Sequence, residues 1–363
     1  MLALVVTASG LACEKKPDPA PNPKEMAAPV VASAAPAAET ANIDPTTLLA
    51  FRALPAVMEG KDNAITDEKV NLGRALYYDT RLSAGKDVSC NTCHLLGKFG
   101  VDGTKVSTGH KKQTGKRNSP TVYNAAGHLM QFWDGRAKDV EEQAKGPVLN
   151  PVEMGMPDDK AVVAELSKVK WYGEAFKKAF PDDKAPVSFD NMAKAIGAFE
   201  RKLVTPSRWD KYLAGDKEAL TAPEKAGFNA FTAAGCPTCH AGAYVGGAMY
   251  QKLGLAKPWP DEKDLGRFEV TKDGAEKMFF KVPGLRNVEK TAPYFHDGSV
   301  ATLDEAIKRM GRYELGREIA DADATSIATW LKVLTGDVPA DLIAESKIPA
   351  EARSPTPKAP AKP

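Results

Sequence analysis

Cys90-Asn91-Thr92-Cys93-His94 is one copy of a pattern that returns as Cys236-Pro237-Thr238-Cys239-His240. Cys-x-x-Cys-His is the attachment signature of c-type haem, in which both thiols bond to the haem and the histidine ligates the iron. A zinc site would need a second Cys or His pair close by in the sequence, and neither copy has one. A thioredoxin-like Cys-x-x-Cys would not repeat. The two motifs use four of the five cysteines, and they predict two covalently bound haem c groups.

Length and composition are those of an ordinary globular protein. The 363 residues suggest about two domains, and 43% apolar with 26% charged residues is typical of soluble chains. The 49 basic and 47 acidic residues give a formal charge of +2, which predicts no binding to nucleic acid. Beyond the N-terminus, no run of about 18 apolar residues predicts a membrane span.

Both ends of the chain are predicted to lie outside the fold. Residues 1–47 are interpreted as a leader and a Pro/Ala-rich tether, and residues 341–363 as a disordered tail of similar composition. The apolar run Leu2–Ala12 ends at Cys13, which stands where a bacterial lipoprotein carries its lipid anchor. An ordinary leader with an incidental cysteine is the alternative, because no basic residue precedes the run. Covalent haem and a leader together predict a periplasmic protein.

Between these ends the signals are helical. Thr66 and Ser188 each stand before an apolar run with helical spacing, and Thr221 with Glu224 forms a capping box ahead of the second haem motif. Sustained alternation of apolar and polar residues is missing from the sequence, so a sheet is not predicted. The predicted fold is all-α with long loops, in which each haem supplies part of the core.

A weak internal repeat accompanies the two motifs. Phe132-Trp133-Asp134-Gly135 matches Phe295-His296-Asp297-Gly298, and Arg117-Asn118 and Arg286-Asn287 are interpreted as a further matching pair. The repeat predicts duplicated cytochrome c-like domains. We place them at 48–205 and 206–340, with the boundary near Thr205-Pro206.

The second axial ligand of each iron decides the function, because an iron with an open or displaceable position can bind an oxidant. Beyond His94, the candidates for the first haem are His110, Met154 and Met156; an exposed loop histidine is the alternative role for His110. Met310 is the candidate for the second haem, with a core methionine as its alternative role. The remaining histidines include His128, which we interpret as structural.

From about residue 48 to 337 the sequence resembles the bacterial di-haem cytochrome c peroxidases. The matching segments are Leu72-Gly73-Arg74-Ala75-Leu76, Ser89–His94, Gly100-Val101-Asp102-Gly103, Arg117–Val122, Gln131–Arg136, Glu142–Pro147, Val152-Glu153-Met154-Gly155, Pro293–Gly298 and Leu315-Gly316-Arg317.

The resemblance implies a role for each haem. His94 matches the proximal ligand of an N-terminal, low-potential haem where peroxide is reduced, and His110 the histidine that caps this haem at rest and leaves on activation. His240 and Met310 match the ligands of a C-terminal, high-potential haem that supplies electrons. A methionine ligand raises the reduction potential, which agrees with this direction of flow.

The resemblance also implies groups around the haems. Trp133 matches a tryptophan between the haems, while Gln143 and Glu153 match distal-pocket residues. Peroxide must lose a proton from one oxygen and gain one on the other, and a carboxylate such as Glu153 can carry both transfers. Asn118, Thr291 and Pro293 match the protein ligands of a calcium ion, a set of hard oxygen donors.

The expected activity is reduction of hydrogen peroxide with electrons from a small periplasmic donor, a cytochrome c or a cupredoxin. The resemblance further implies a homodimer. Two alternatives stand: a di-haem oxidase of the same superfamily that acts on a protein or other organic substrate, and a non-enzymatic di-haem electron carrier. The oxidase relative lacks the capping histidine and has tyrosine for the axial methionine, so His110 and Met310 favour the peroxidase.

Overall fold

The computed structural model describes residues 41–354, and most of their regular structure is helical. The α-helices are α1 Pro45–Leu48, α2 Asp67–Tyr78, α3 Cys90–Cys93, α4 Val140–Leu149, α5 Asp159–Ser167, α6 Lys170–Ala179, α7 Phe189–Glu200, α8 Arg208–Leu213, α9 Ala222–Ala233, α10 Phe268–Thr271, α11 Leu303–Arg309, α12 Asp321–Val333 and α13 Ala340–Ile343. A short antiparallel pair, β1 Tyr250–Lys252 and β2 Phe279–Lys281, is the one sheet in this part of the chain. The prediction of a helical protein with long loops is confirmed. None of these helices is both long and apolar enough to span a bilayer.

The predicted helix starts are confirmed. The Thr66 side chain accepts a hydrogen bond from the backbone of Lys69 at the start of α2, and Ser188 caps α7 in the same way. At α9 the Thr221 and Glu224 side chains form the reciprocal capping box. These caps satisfy backbone N–H groups that the first helical turn leaves without partners.

The first core forms where α2 crosses α7, and α4 and α6 close it. It buries Leu72 and Leu76 against Met192 and Phe199. The backbones approach closely at this crossing, since a Cβ atom on Gly73 would lie 1.9 Å from the carbonyl oxygen of Ala195. A larger residue at position 73 would therefore push the two helices apart.

The second core forms where α9 crosses α12, and it is rich in aromatic side chains. Trp330 lies 4.5 Å from Phe231 and 5.4 Å from Trp209, measured between ring centroids. Apart from the terminal segments, the residues of the first core extend along the chain as far as Leu203, and those of the second core begin at Trp209. The boundary expected near Thr205-Pro206 therefore falls between the two cores.

The terminal segments cross between the cores, which corrects the predicted domain limits. Ile43 and Phe51 pack in the second core, so residues 41–47 belong to the fold, and the segment that begins the predicted domain 48–205 does not lie on that domain's core. Ile348 and Ala352 pack in the first core, so the prediction of a disordered tail is wrong for residues 341–354. The leader, Cys13 and residues 355–363 lie outside the described residues.

Hydrogen bonds explain why a Pro/Ala-rich segment is ordered at this place. Arg74 Nε donates to the carbonyl of Leu342 at 2.7 Å, and Tyr78 Oη donates to that of Ile343 at 2.7 Å. The average composition of a segment does not reveal that one isoleucine, Ile348, is buried or that Arg74 and Tyr78 on α2 donate hydrogen bonds to this segment.

Replacing Ile348 by alanine is expected to destabilise the protein by about 2–5 kcal/mol, because the deletion leaves a cavity in the first core. Chemical denaturation of the haem-loaded protein measures the change. Glu351→Ala, at an exposed neighbouring position, is the matched control. Equal midpoints for the two variants would show that the tail does not contribute to the core.

The internal repeat is a structural one, and its pairing differs partly from the predicted one. Phe132 and Phe295 share positive φ angles of 66° and 69°. Asn124 and Asn287, separated by the same 163 residues, both have φ of 62° and both donate their side-chain amides to Thr205 Oγ1, at 2.8 and 2.9 Å. The counterpart of Asn287 is therefore Asn124, and the predicted match between Arg117-Asn118 and Arg286-Asn287 is wrong.

The pairing of Asn118 is different. Asn118 N donates to the carbonyl of His296 at 2.7 Å, and Lys281 N donates to that of Trp133 at 2.8 Å. Because His296 and Trp133 are repeat partners, these two hydrogen bonds are the same bond in the two halves. Lys281 is thus the counterpart of Asn118, which sequence comparison of such different side chains does not reveal.

Candidate di-haem active site

The first haem motif forms the short helix α3. Ser89 and Thr92 cap it reciprocally, and His94 follows directly after its last residue, Cys93. His94 Nδ1 lies 2.9 Å from the carbonyl oxygen of Pro120, to which it donates its proton. That hydrogen bond leaves Nε2 as the nitrogen available to a metal. Burial lowers the pKa of His94, which keeps the imidazole neutral, as ligation requires.

The loop that carries His110 folds back onto the loop that carries Glu153. His110 N donates to the carbonyl of Glu153 at 2.7 Å, and a Cβ atom on Gly109 would lie 2.2 Å from the carbonyl oxygen of Val152. The His110 side chain is buried, and its Nδ1 lies 3.2 Å from both carboxylate oxygens of Asp87. With Nδ1 held by Asp87, Nε2 is the free nitrogen of this histidine too. The structure does not support an exposed loop role for His110.

Glu153 is a half-buried carboxyl group held by a neighbour. Asn150 Nδ2 donates to Glu153 Oε1 at 2.8 Å. Burial raises the pKa of Glu153 above its usual value, although Arg136 and Asn150 act in the opposite direction. The Glu153 charge also adds to the rise that burial causes in the pKa of the Cys93 thiol.

The methionines near Glu153 are core residues. Met154 and Met156 are buried in the first hydrophobic core, packed among apolar side chains. The structure therefore gives them a packing role and leaves His110 as the candidate second ligand on this side.

The second haem motif opens into a mostly apolar cavity of about 250 Å³. Cys236, Cys239 and His240 line it together with Met310. Burial lowers the pKa of His240 to about 4, so this imidazole is also neutral. Its Nδ1 atom is buried near the backbone carbonyls of Val245 and Pro283, but it makes no hydrogen bond of standard geometry to either of them. Two thiols, a neutral imidazole and a thioether around an apolar space fit a c-type haem.

Met310 lies where a helix changes its winding. It follows α11 directly and begins a π-helical turn, Met310–Glu314, and such turns are frequent at functional sites. Met278, the other methionine to consider, does not line the cavity and packs with Trp259 and Phe280 in a separate small cluster. The geometry therefore favours Met310 as the thioether ligand.

Trp133 bonds the loop next to the first haem motif and lines the cavity of the second. Its indole Nε1 donates to the carbonyl of Asn118 at 2.9 Å, and its ring centroid lies 6.5 Å from that of His296. Trp133 lines the cavity of the second haem motif, and so does Pro120, whose carbonyl holds His94. The segment from Asn118 to Pro120 thus connects the two sites: it bonds His94 of the first motif at one end and Trp133, which lines the cavity of the second motif, at the other.

Arg117 holds the two halves together beside Trp133. Its guanidinium bonds Asp264 through two nitrogens, at 2.6 and 2.7 Å, and also Asp134. Burial disfavours the Arg117 charge, but Asp264 and Asp134 outweigh this cost and raise its pKa. Since Asp264 belongs to the second half, this paired cation fixes the surroundings of the tryptophan.

The three residues expected to bind calcium all line the same cavity. They are Asn118, Thr291 and Pro293. Asn118 Nδ2 donates to the carbonyl of Thr104 at 2.9 Å, which orients the amide. Within residues 41–354, no donor bonds the Asn118 Oδ1 atom or the carbonyls of Thr291 and Pro293. The three residues thus line one cavity and carry neutral oxygens that accept no hydrogen bond within residues 41–354.

Gln143 is not joined to the other expected residues. It lies half-buried on α4, and its side chain makes no hydrogen bond to a residue in the described part of the chain. Sequence reasoning also missed Asp87, Asn150 and Lys281. Asp87 and Asn150 are partners of predicted residues, and only the folded loops bring them there.

Known proteins similar to this chain are found by sequence and by structure. Residues 67–218 match the family model of the di-haem cytochrome c peroxidases. The chain is 47% identical to the cytochrome c551 peroxidase of Nitrosomonas europaea, over 76% of this chain and 83% of that protein. It is 46% identical to the cytochrome c551 peroxidase of Pseudomonas aeruginosa, over 80% of this chain and 85% of that protein. A crystal structure of a MauG-like protein associated with microbial copper homeostasis superimposes with a TM-score of 0.70 at 29% identity, over 82% of this chain and 96% of that one.

Proposed function

This chain belongs to the di-haem cytochrome c peroxidases, which are enzymes with two haem c groups, and from that membership we propose where peroxide is reduced and how electrons arrive. Hydrogen peroxide is reduced to water at the haem of Cys90 and Cys93. A small donor protein, a cytochrome c or a cupredoxin, delivers the electrons to the haem of Cys236 and Cys239. The observation that carries this assignment is the difference between the two sites: a half-buried carboxylate of raised pKa accompanies the first motif, and a methionine lines the cavity of the second.

Glu153 is the proton-transfer group of this proposal. When bound, the haem supplies an iron that binds peroxide and exchanges electrons with it. The overall reaction takes two electrons and two protons per peroxide and yields two waters. Glu153 would accept a proton from one oxygen of the peroxide and return it to the other oxygen, which leaves as water. Asn150 holds the carboxylate in position for both transfers, and the raised pKa of Glu153 brings it closer to the operating pH.

His110 is the gate of the first site. Its Nε2 is free to cap the iron, and Asp87 holds the ring through Nδ1. Two successive residues after it, Lys111 and Lys112, have positive φ angles of 56° and 59°. Such backbone is costly for residues other than glycine, which favours a loop that can be released.

His110→Ala is expected to give a first haem that reacts with peroxide without prior reduction, because no side chain then closes the sixth position. Peroxide consumption by the fully oxidised variant, compared with the parent, measures this. Lys116→Ala, at an exposed position of the same loop, is the control and keeps the parental need for reduction. The proposal for His110 fails if the alanine variant depends on pre-reduction as strongly as the parent.

Electrons enter at the second haem and cross to the first. Met310 would ligate the iron of the second haem through its thioether, and such a ligand would raise the reduction potential at this site. Trp133 lines its cavity and contacts, through Asn118, the loop that holds His94. We assign Trp133 as the bridge across this gap.

Calcium is proposed at the junction of the two halves. Asn118 Oδ1 and the carbonyls of Thr291 and Pro293 would be its protein ligands, and water would complete the shell. Carbonyl and amide oxygens are ligands that calcium accepts, and among residues 41–354 no cluster of three or more carboxylate, histidine or cysteine side chains offers another metal site. The ion would join the Trp133 loop of the first half to the second half.

The two alternatives lack a supporting observation of their own. A tryptophan-oxidising relative would lack the cap and the methionine, whereas this chain has a buried His110 and Met310 at the cavity. A pure electron carrier would not need a half-buried carboxylate such as Glu153 beside its haem.

We also propose that the enzyme works in the periplasm as a homodimer, and that Cys13 is a candidate lipid anchor.

A further inference from the structure

Lys281 is a buried lysine without an acidic partner. Only 8% of its surface is exposed. Its Nζ lies 3.1 Å from His128 Nδ1, and no carboxylate of residues 41–354 lies within salt-bridge distance of it. Burial, and secondarily the Lys281 charge, lowers the pKa of His128 well below its usual value, so that imidazole is neutral and accepts one proton of the ammonium. The other two N–H groups have no acceptor in the described part of the chain.

Such a group is expensive unless an anion compensates it. A buried charge normally has a partner of the opposite sign. Burial lowers the pKa of Lys281 to about 8, so the ammonium form still predominates at neutral pH. The structure therefore keeps a cation here that the protein itself does not neutralise.

The repeat shows what this position corresponds to. Lys281 is the counterpart of Asn118, and by the same spacing His128 and Met130 are the counterparts of Thr291 and Pro293. By this pairing the Lys281 ammonium group lies at the repeat-related counterpart of the proposed calcium site, which takes its ligands from both halves. Both places carry a positive charge, one supplied by an ion and one by a side chain.

The group proposed for the adjoining cavity, a haem, carries negatively charged carboxylates. Lys281 lines the cavity of Cys236, His240 and Met310, and Glu314 is the only acidic residue among its lining side chains. Glu314 accepts a hydrogen bond from Gly254 N at 2.7 Å, away from Lys281 in its contacts. A haem brings two carboxylates to such a cavity, and these are the acceptors that the ammonium lacks.

We propose that Lys281 is an internal cation at the repeat-related counterpart of the proposed calcium site, and that its ammonium group binds a carboxylate of the second haem. This inference rests on the haem and calcium positions of the proposed function. A cation beside the haem stabilises the reduced iron, which carries one positive charge less than the oxidised iron. Lys281 is accordingly a positioning residue that helps to keep the second haem at high potential.

Redox titration of the haem-loaded protein tests this, because it reads the potential of each haem separately from peroxide turnover. Lys281→Met is expected to lower the midpoint potential of the second haem by at least about 59 mV, which is about tenfold in the reduction equilibrium for one electron. Lys281→Gln, which keeps a donor towards His128 but no charge, is expected to do the same. Lys281→Arg retains the charge and the parental potential.

Lys277→Met, at an exposed position near β2, is the control for a distant charge and leaves the potential unchanged. Parental potential of the second haem in fully haem-loaded Lys281→Gln would overturn the proposal, and so would a shift confined to the first haem. Because the readout is a potential, a failure of Glu153 or His110 in peroxide chemistry would leave this result intact. Should Lys281→Met load haem poorly, the glutamine and arginine variants decide the question between them.

Discussion

Replacing Glu153 by glutamine is expected to reduce peroxide turnover by about 10²–10⁴-fold, the range that a general acid–base group typically contributes. Glutamine has nearly the same size and can still bond Asn150, but it cannot accept a proton from peroxide. The haem spectra and the potential of the second haem are expected to match the parent, because Glu153 is not proposed as a ligand of either iron. Turnover with excess reduced donor, measured together with the spectra, tests this.

The pH dependence gives a second readout of the same residue. Glu153 must be ionised to accept the proton, and burial raises its pKa above the usual carboxyl value. Parental turnover is therefore expected to fall as the pH drops through this raised pKa, and the glutamine variant is expected to lose that limb of the profile. Glu174→Gln, at an exposed position on α6, is the matched control with parental behaviour. Parental turnover in Glu153→Gln would remove the residue from the mechanism, and altered haem spectra would indicate a structural role.

Replacing Met310 by histidine is expected to lower the potential of the second haem by more than about 100 mV, within the range of about 0.8 V over which axial ligands set haem potentials. A nitrogen ligand stabilises the oxidised iron more than a thioether does. The second haem then holds its electron at a potential closer to that of the donor or below it, so donor-supported turnover falls as well. Spectroelectrochemical titration and steady-state turnover measure the two effects.

Met278→Leu provides the control for Met310. Met278 is buried and is not among the residues that line the haem cavity, so this variant is expected to keep the parental potential. A Met310→His protein with parental potential and turnover would show that Met310 is not the ligand. A change in Met278→Leu would then identify the sulfur that is.

Local features of this protein were predictable from its sequence. The two haem motifs and the caps at Thr66, Ser188 and Thr221 each depend on residues within a few positions of one another, and the structure has all the caps in place. His110 and Glu153 came from family resemblance, and the structure places their loops in contact. Such inference works where the chemistry is written in adjacent residues or in a conserved order of segments.

Long-range partners were not predictable. Ile348 packs on a core formed more than a hundred residues earlier in the chain, and the Pro/Ala composition around it favours disorder when averaged. Sequence comparison does not reveal that Asn118 and Lys281 are repeat counterparts, because an amide and an ammonium side chain are chemically dissimilar. Only their equivalent backbone hydrogen bonds show the pairing. Asp87 needed the fold as well, since its role follows from the 3.2 Å contact with His110 and from nothing in its own neighbourhood.

The crossing of the terminal segments has a mechanical consequence. Residues 41–54 bind the second core while the chain continues into the first, and residues 340–354 return from the second half to the first. Together with the ion pair between Arg117 and Asp264, these crossings help to fix the position of one half relative to the other. The proposed electron transfer across Trp133 would depend on a fixed distance between the haems, which this arrangement favours.

The central claim is that the first haem opens and reduces peroxide once the second haem holds an electron. Its most direct test compares fully oxidised and half-reduced protein by electron paramagnetic resonance and visible spectroscopy, followed by rapid mixing with hydrogen peroxide. The half-reduced protein is expected to develop a high-spin signal from the first haem and to consume peroxide quickly, while the fully oxidised protein stays low-spin and consumes it slowly. Two haems that remain low-spin and leave peroxide unconsumed in both states would contradict the account and would describe an electron carrier.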